Sequence, residues 1–354
     1  MAGHRHHKIA AVTAAMLALV ALGISCSKGD GVAAPGPQAM AFAAPAHFPK
    51  MVYDTAGNRL TKEGFELGRR LFYDARLSRN LTISCGFCHM QSSAFTHHGH
   101  DVSHGIEDRL GTRNAPPTFN LAWSKFFLWD GGVYNLDLQP LVPIKAHEEM
   151  DEDINNVVKK LEADATYRTQ FAAAFGGTGV TAQHMLKALS QFMVQCVSAG
   201  SRYDRWKEGK TTLTNEELAG MRIVQQKCSP CHGGALFTDG DFHNNGLPPG
   251  VVNDKGRSTI TLNPAHEYLF KTPTLRNLKY TAPYMHDGRF SSLTTVLAHY
   301  GSGGVQNSPT LDPVLKSNNP IGIPLTGTER RQILAFLDAL NDDALVTDKR
   351  FSEQ

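Results

Sequence analysis

The chain has 354 residues, of which 19% are charged, and its formal net charge at pH 7 is +2. This near balance gives no electrostatic reason to bind nucleic acid, so no nucleic-acid partner is expected. The length exceeds that of one typical hydrophobic core and predicts two domains after an N-terminal leader.

The leader, residues 1–25, has the form of a secretory signal. Arg5 and Lys8 precede an apolar run that is shorter than the ~20 residues of a membrane-spanning helix. Residues 22–25 (LGIS) before Cys26 resemble a lipoprotein cleavage site, which predicts a lipid anchor in the outer membrane; cleavage near residues 39–46 is the alternative. Residues 26–48 are rich in Ala, Gly and Pro and predict a flexible tether. We therefore expect a periplasmic protein.

Two Cys-x-x-Cys-His motifs follow, one in each half of the chain. They are Cys85-Gly86-Phe87-Cys88-His89 and Cys228-Ser229-Pro230-Cys231-His232. In such a motif the two thiols attach one haem covalently and the adjacent His ligates its iron. A redox-active dithiol or half of a zinc site leaves both histidines without a role. The sequence therefore predicts two covalently bound haem c groups.

Helical signals surround both motifs, and no long alternating strand pattern competes with them. Capping boxes begin helices at Thr214 and Thr326, and Thr181 is the expected N-cap of a third. An apolar stripe over residues 154–161 predicts another helix, which stops near the glycines at 176 and 177. Cys196 falls in an apolar stretch and is expected to be buried. These signals predict a mainly α protein.

A second signature follows each haem motif. Residues 117–121 (PTFNL) lead to 129–131 (WDG), and residues 273–278 (PTLRNL) lead to 286–288 (HDG). This repetition predicts two cytochrome c-like haem domains related by duplication. We place the N-terminal haem domain at residues 49–205 and the C-terminal haem domain at 206–354, with their joint near 200–210.

The chemistry of each haem depends on the group opposite the motif histidine. An open position admits peroxide, whereas an occupied position favours electron transfer. In the second half, helical spacing turns Tyr300 inward, either as a ligand or as a core tyrosine. In the first half, Gln139 and Glu149 are placed to position peroxide and transfer its protons, or Glu149 forms a solvated pair with Glu148. The residues alone leave both choices open.

Further segments accompany the haem motifs: residues 111–114 (GTRN), 127–131 (FLWDG), 149–150 (EM) and 281–288 (TAPYMHDG). With these segments, the chain from about residue 50 to 345 resembles the bacterial di-haem cytochrome c peroxidase and MauG family. The resemblance implies that Trp129 lies between the haems and that the peroxide pocket is lined by Gln139, Pro143 and Glu149. It also implies a calcium ion bound by Asn114, Thr281 and Pro283.

One position separates the subgroups of this family. This position lies fourteen residues after His286. Ordinary di-haem peroxidases resemble one another in having Met there as the sixth ligand of the second haem, whereas this chain has Tyr300. The MauG-like and MbnH-like members share this tyrosine. A neutral thioether favours ferrous iron, whereas an anionic phenolate stabilises ferric and higher states. The resemblance therefore places this chain in the MauG/MbnH-like subgroup.

Resemblance to this subgroup implies a periplasmic oxidoreductase that uses hydrogen peroxide to reach a high-valent di-haem state and then oxidises Trp or Tyr residues of a partner protein. Peroxide is expected to bind the domain at 49–205, and the domain at 206–354 is expected to transfer electrons. A conventional peroxidase that draws electrons from a small cytochrome and a non-catalytic electron carrier are the alternatives.

Two further residues carry expectations of their own. His104, in a His-rich loop, is the candidate for a ligand that closes the first haem at rest; a solvated loop is the alternative. Trp206 is the only Trp outside the first predicted domain. The resemblance implies that oxidising equivalents leave through a Trp two residues before the second haem motif, but this chain has Gln226 there. Trp206 is therefore the candidate for the site at which electrons pass between the second haem and a partner.

Overall fold

Helices connected by loops and single 3₁₀ turns make up most of this computed structural model, which describes residues 36–177, 179–301 and 303–354. The predicted signal peptide and Cys26 lie outside the described residues. Numbered in chain order, the helices are α1 (Lys62–Phe72), α2 (Cys85–Cys88), α3 (Leu141–Lys145), α4 (Ile154–Glu162), α5 (Ala165–Phe175), α6 (Ala182–Gln195), α7 (Arg202–Lys207), α8 (Asn215–Lys227), α9 (Ser229–His232), α10 (Ser258–Thr261), α11 (Leu293–Gly301), α12 (Pro313–Lys316) and α13 (Gly327–Asp338).

One short antiparallel pair of strands accompanies the helices in the described ranges. It joins β1 (Phe242–His243) to β2 (Phe270–Lys271). The mainly α prediction is confirmed. None of the helices in the described part is long and apolar enough to cross a membrane.

The predicted helix starts are present. Thr181 accepts a hydrogen bond from the His184 N–H, and both Thr214 and Thr326 form complete capping boxes. The predicted helix that begins near residue 154 is divided into α4 and α5. The division occurs because the Asp164 side chain accepts a hydrogen bond from the Thr166 N–H and so caps a new helix.

The two halves repeat one packing arrangement. In the first half α1 crosses α6 so closely that a Cβ on Gly68 would lie 1.9 Å from the Ala188 carbonyl oxygen. In the second half α8 crosses α13, and a Cβ on Gly220 would lie 1.9 Å from the Gln332 carbonyl oxygen. In each half, therefore, the helix before the haem motif contacts a later helix through a glycine. This repetition agrees with the predicted duplication.

The buried apolar side chains form separate clusters. The first cluster draws on residues 48–196 together with Leu345 and Phe351, and the second on residues 203–340. Cys196 is buried in the first cluster, as predicted. The first cluster ends at Cys196 and the second begins at Tyr203, beside the predicted joint between the domains. However, Leu345 and Phe351, from the end of the predicted C-terminal domain, pack on the first cluster. The domain boundaries stay a prediction, and residues 36–354 form one compact unit.

The predicted tether differs from the structure in its second part. The Met40 N–H donates to the Leu60 carbonyl at 3.0 Å, and Ala39 forms an isolated bridge with Thr61. Phe48 is buried, with its ring 4.9 Å from that of Trp123. The prediction of a flexible segment up to residue 48 is therefore wrong for residues 39–48. Apolar side chains spaced among the Ala and Pro residues anchor this segment to the first cluster.

The glycine crossing in the second half predicts a measurable stability effect. Gly220→Ala should lower the free energy of unfolding by about 1–3 kcal/mol, because the added methyl group meets the Gln332 carbonyl. Gly327→Ala is the control, since no atom lies within 4 Å of its Cβ position at the start of α13. Urea unfolding of both haem-loaded variants checks this. Equal stabilities would contradict the close crossing.

Candidate functional site

The first motif folds into a single helical turn, α2, with His89 directly after it. The Nδ1 atom of His89 lies 2.9 Å from the Phe95 carbonyl oxygen. Because a carbonyl only accepts hydrogen bonds, Nδ1 carries the proton and Nε2 keeps a free lone pair. Burial lowers the pKa of His89 and so favours the neutral imidazole. His89 is therefore oriented and protonated as an iron ligand must be.

The second motif repeats this arrangement. His232 ends α9, and its Nδ1 lies 3.3 Å from the Phe237 carbonyl oxygen. Burial again lowers the pKa of the imidazole. Both histidines thus present a neutral Nε2, held from behind by a backbone carbonyl.

The motif cysteines form no disulfide bonds, and burial disfavours the thiolate form of three of them. Burial raises the pKa of Cys85 and of Cys88 to about 12 and that of Cys228 to about 11. Zinc and dithiol redox chemistry require thiolates, which cost free energy in such surroundings. Thioether bonds to haem leave the sulfur neutral. The residues therefore fit haem better than either alternative.

A mostly apolar cavity adjoins the second motif. Cys228, Cys231 and His232 line it, and so does Tyr300 from α11. Its apolar walls come from α11 and α13, which contribute Leu293, Val296, Leu297, Ile333 and Leu337. Two thiols, one imidazole and aliphatic walls are the surroundings that a covalently attached haem requires. The residues of this cavity fit the group.

Tyr300 lies in this cavity, as its helical spacing predicts. Its Oη accepts a hydrogen bond from Asn245 Nδ2 at 3.3 Å, and the same amide nitrogen lies 3.5 Å from Met285 Sδ. Burial raises the pKa of Tyr300 to about 12, so the hydroxyl is protonated unless a cation such as ferric iron stabilises the phenolate. Neither Asn245 nor the position of Met285 in this cavity was predicted from the sequence, because neither side chain belongs to a periodic pattern that marks the cavity.

Trp129 borders the same cavity. Its indole Nε1 donates to the Asn114 carbonyl at 2.8 Å, and its own carbonyl accepts from the Lys271 N–H at 2.7 Å. Thr96, next to the carbonyl that holds His89, also lines the cavity. The cavity therefore extends from Tyr300 toward the segment that orients the first motif histidine, with Trp129 fixed along it.

The residues predicted to line the peroxide pocket lie in and beside α3. Gln139 is in the turn before the helix, Pro143 is within it, and Glu149 is in the turn after it. The Gln139 carbonyl accepts from the Val142 N–H at 3.1 Å, and the Pro143 carbonyl accepts from the Met150 N–H at 3.2 Å. Burial raises the pKa of Glu149, partly offset by a hydrogen bond with the Ser103 side chain.

Glu149 lies beside the first haem motif, since its carboxylate contributes to the raised pKa of Cys88 after the larger effect of burial. It is half-buried, whereas its neighbour Glu148 is exposed. The solvated-pair interpretation therefore does not describe Glu149. A partly buried carboxyl group with a raised pKa is suited to take up and release a proton.

A loop that the sequence analysis treated only as His-rich holds Glu149 in place. The Ile106 N–H donates to the Glu149 carbonyl at 2.9 Å. A Cβ on Gly105 would lie 2.5 Å from Glu149 Cα, so only glycine permits this approach. The glycine in Ser103-His104-Gly105 was the available signal.

The histidines of this loop form a cluster near the first motif. The rings of His97 and His100 stack at 4.0 Å, and the ring of His104 lies 5.4 Å from that of His100. His104 Nε2 is 3.2 Å from Asp108 Oδ1. The hydrogen bond gives His104 a role in the loop, and its ligation of the first haem stays a prediction.

The three predicted calcium ligands, Asn114, Thr281 and Pro283, line the same cavity. Asn114 Nδ2 donates to the Asp101 carbonyl at 3.0 Å, which leaves its Oδ1 free for another partner. Amide, hydroxyl and carbonyl oxygens are the ligands that calcium prefers, so these residues fit the ion, whose binding stays a prediction.

His243 forms a charged group at the edge of the cavity. It pairs with Asp312 at 2.6 Å and with Asp239 at 2.8 Å. Among the described residues, Cys231, His243 and Asp312 are grouped closely enough for a metal ion. Because Cys231 belongs to the haem motif, we assign no metal to this group.

The haem assignment predicts the cofactor content of two variants. Cys88→Ala and Cys231→Ala should each lose one of the two thioether bonds of their own motif, which weakens or abolishes attachment of that haem, and should leave the other haem attached through both of its bonds. Intact-protein mass spectrometry and pyridine haemochrome spectra measure this. Cys196→Ala is the matched control and should keep both haems, since that thiol is buried outside the motifs. Two fully attached haems in either motif variant would contradict the assignment.

Comparisons with known proteins agree with this geometry. Residues 62–212 match the family described as di-haem cytochrome c peroxidase. The methylamine utilization protein MauG of Methylorubrum extorquens is 36% identical over 89% of this chain and 89% of its own length. Cytochrome c551 peroxidase of Nitrosomonas europaea is 34% identical over 78% of this chain and 80% of its own length.

A solved structure gives the same result in three dimensions. A crystal structure described as a MauG-like protein associated with microbial copper homeostasis has a TM-score of 0.81 and 32% sequence identity. The match covers 89% of this chain and 99% of that one. The chain therefore belongs to the di-haem cytochrome c peroxidase and MauG family of haem-dependent, peroxide-using oxidoreductases.

Proposed function

We propose that this protein uses hydrogen peroxide at the first haem and, through the second haem, oxidises a Trp or Tyr residue of a partner protein in the periplasm. The observation that carries the proposal is Tyr300 in the second cavity, together with His232. A phenolate ligand opposes reduction of the iron and stabilises its higher oxidation states. A haem with this ligand is a poor resting electron donor and a good store for an oxidising equivalent.

The first pocket supplies proton transfer. When bound, the first haem would supply the iron at which peroxide is reduced. Glu149 takes a proton from one peroxide oxygen and returns it to the other, which leaves as water. The raised pKa of Glu149 suits both proton transfers. Gln139 orients the peroxide by hydrogen bonding, and Pro143 narrows the pocket. Gly105 and Ile106 hold the Glu149 backbone in place.

The second site sets the potential at which electrons are taken up. His232 and Tyr300 would hold the second haem iron, and Asn245, which donates to the Tyr300 oxygen at 3.3 Å, would stabilise the phenolate form. Trp129 lies along the cavity between this site and the segment that holds His89, and it carries charge between the two sites. Asn114, Thr281 and Pro283 bind calcium beside it.

The proposed location follows from the export signal in the sequence. A leader at residues 1–25 directs the chain to the periplasm, where covalent haem attachment is completed. Cys26 is then the site of a lipid anchor in the outer membrane, an assignment that rests on the resemblance of residues 22–25 to a cleavage site.

A conventional cytochrome c peroxidase is the second candidate. One specific observation favours it: Met285 brings a thioether sulfur into the same cavity, 3.5 Å from the amide nitrogen that binds Tyr300. If Met285 replaced Tyr300 as the ligand, the second haem would become a better electron donor. The two candidates therefore differ in which side chain binds the iron.

The experiment compares two kinds of electron source. Haem-loaded protein and peroxide are incubated with proteins encoded beside its gene and, separately, with a reduced small cytochrome c. We expect peptide mapping to find oxidised Trp or Tyr in one of those proteins and only slow oxidation of the cytochrome. Fast cytochrome oxidation without a modified residue would replace the proposal with the conventional peroxidase.

A further inference from the structure

We propose that Trp206 is the port through which electrons of the partner reach the second haem, and that the basic surface around it docks an acidic region of a partner protein. This inference rests on the proposed function and names the route and the kind of partner. It starts from a continuous row of aromatic rings in the second half of the protein.

The row joins the protein surface to the second motif histidine. The ring of Trp206 lies 5.8 Å from that of Tyr203, and the ring of Tyr203 lies 5.2 Å from that of Phe237. The carbonyl of Phe237 accepts the Nδ1 hydrogen bond of His232 at 3.3 Å. The rings of Trp206, Tyr203 and Phe237 therefore pack one after another. The backbone carbonyl of Phe237 orients His232, the proposed ligand of the second haem.

The local fold fixes the two ends of this row at different depths. Ser201 and Asp204 form a capping box that begins α7. Tyr203 is then buried in the second hydrophobic cluster, whereas Trp206 is only partly covered. A partner can therefore contact the indole ring while the remaining rings stay excluded from water.

The chemistry of the side chains favours Trp206 over the tyrosines that lie near the two haem motifs. Tyr284, in the cavity, donates its hydroxyl to the Leu278 carbonyl at 2.7 Å, and Tyr73, near the first motif, donates to the Phe351 carbonyl at 2.6 Å. A tyrosine gives up its phenolic proton when it loses an electron, and a backbone carbonyl cannot take that proton away. An indole can lose an electron first and keep its proton.

Charge identifies the partner surface. The exposed stretch at the end of α7 carries Arg205, Lys207 and Lys210 against a single acidic residue, Glu208. Glu208 pairs with Lys210 at 2.8 Å, so Arg205 and Lys207 supply the net positive charge. Lys207 Nζ lies 5.8 Å from the Trp206 ring, where its charge disfavours a positive indole. An acidic partner pairs with this ammonium group, which guides docking and also makes Trp206 easier to oxidise. Docking and electron transfer are thereby linked.

The electrons and protons balance with peroxide as the oxidant. One hydrogen peroxide takes up two electrons and two protons and gives two waters. Trp206 passes each electron toward the second haem site. An aromatic ring of the partner then reduces the resulting indole cation by one electron. That ring is oxidised and releases a proton for each electron, which supplies the two protons.

Peptide mapping of the haem-loaded protein after excess peroxide, without a partner, tests the port. We expect oxygen adducts on Trp206, because no donor refills it. In Trp206→Phe these adducts disappear and the oxidised protein, followed by its visible spectrum, decays severalfold more slowly. Tyr73→Phe is the matched control and should decay like the wild type. Far-UV circular dichroism shows whether the variants fold.

The docking surface is tested with two synthetic peptides that each contain one Trp, one peptide acidic and one basic. The wild type should oxidise the acidic peptide severalfold faster at low salt, and Lys207→Glu or high salt should remove the difference. Equal rates for both peptides in the wild type would overturn the acidic-partner assignment.

The results separate the two proposals. If the protein reacts with peroxide but Trp206 stays unmodified and Trp206→Phe decays like the wild type, the port is wrong and the proposed function stands. If the wild type does not react with peroxide at all, the proposed function fails and the port fails with it.

Discussion

Replacing Tyr300 with Met should raise the midpoint potential of the second haem and abolish oxidation of a protein partner, while peroxide still reacts at the first haem. The phenolate stabilises ferric iron through its negative charge, whereas the thioether is neutral. The shift should be a sizeable part of the ~0.8 V range that axial ligands span. Spectroelectrochemical titration of both proteins measures it.

Two further variants decide whether Tyr300 is a ligand or a core tyrosine. Tyr300→Phe should change the spectrum and potential of the second haem, because the phenolate is lost. Tyr284→Phe is the control, since Tyr284 lines the same cavity but donates its hydroxyl to the Leu278 carbonyl. A core tyrosine predicts a modest loss of stability with both properties intact. That outcome would leave the cytochrome-dependent peroxidase as the better account.

Replacing Glu149 with Gln should slow the reaction with peroxide by about 10²–10⁴-fold, because the amide cannot take up and return a proton. Stopped-flow absorbance of the haem-loaded protein measures the rate, and the resting spectrum should hardly change. Glu148→Gln is the matched control, because Glu148 is the exposed neighbour. An unchanged rate in Glu149→Gln would remove Glu149 from the mechanism.

The pH dependence of the same reaction has a defined sign. Burial raises the pKa of Glu149, so its carboxyl group stays protonated to a higher pH than an exposed glutamic acid. The carboxylate is the form that accepts the proton of peroxide. The rate should therefore fall as the pH decreases through this raised pKa, and Glu149→Gln should lose that part of the pH dependence. A wild-type rate independent of pH would contradict the assignment.

Short-range sequence patterns predicted much of the fold. The caps at Thr181, Thr214 and Thr326 are read within four residues of each helix start, and each is present in the structure. The helical spacing that turned Tyr300 inward also involves only one turn or two. Such signals depend on local hydrogen bonds and periodicity, which the sequence displays directly.

These short-range patterns could not predict the contacts that complete the site. Asn245 reaches Tyr300 across 55 positions of the chain, and Gly105 approaches Glu149 from a separate loop. Neither residue follows a helical period, so only the folded chain brings them together. The prediction of a flexible tether was wrong for residues 39–48 for a similar reason. Its composition is that of a linker, but Phe48 finds a place in the first hydrophobic cluster.

The central claim is that the second haem stores an oxidising equivalent and does not serve as the resting electron donor. Mixing the all-ferric, haem-loaded protein with an equal concentration of hydrogen peroxide tests it most directly, with the visible spectrum followed by stopped flow. We predict an immediate spectral change in the absence of any reductant. A spectrum that stays unchanged until a reduced small cytochrome is added would contradict the account.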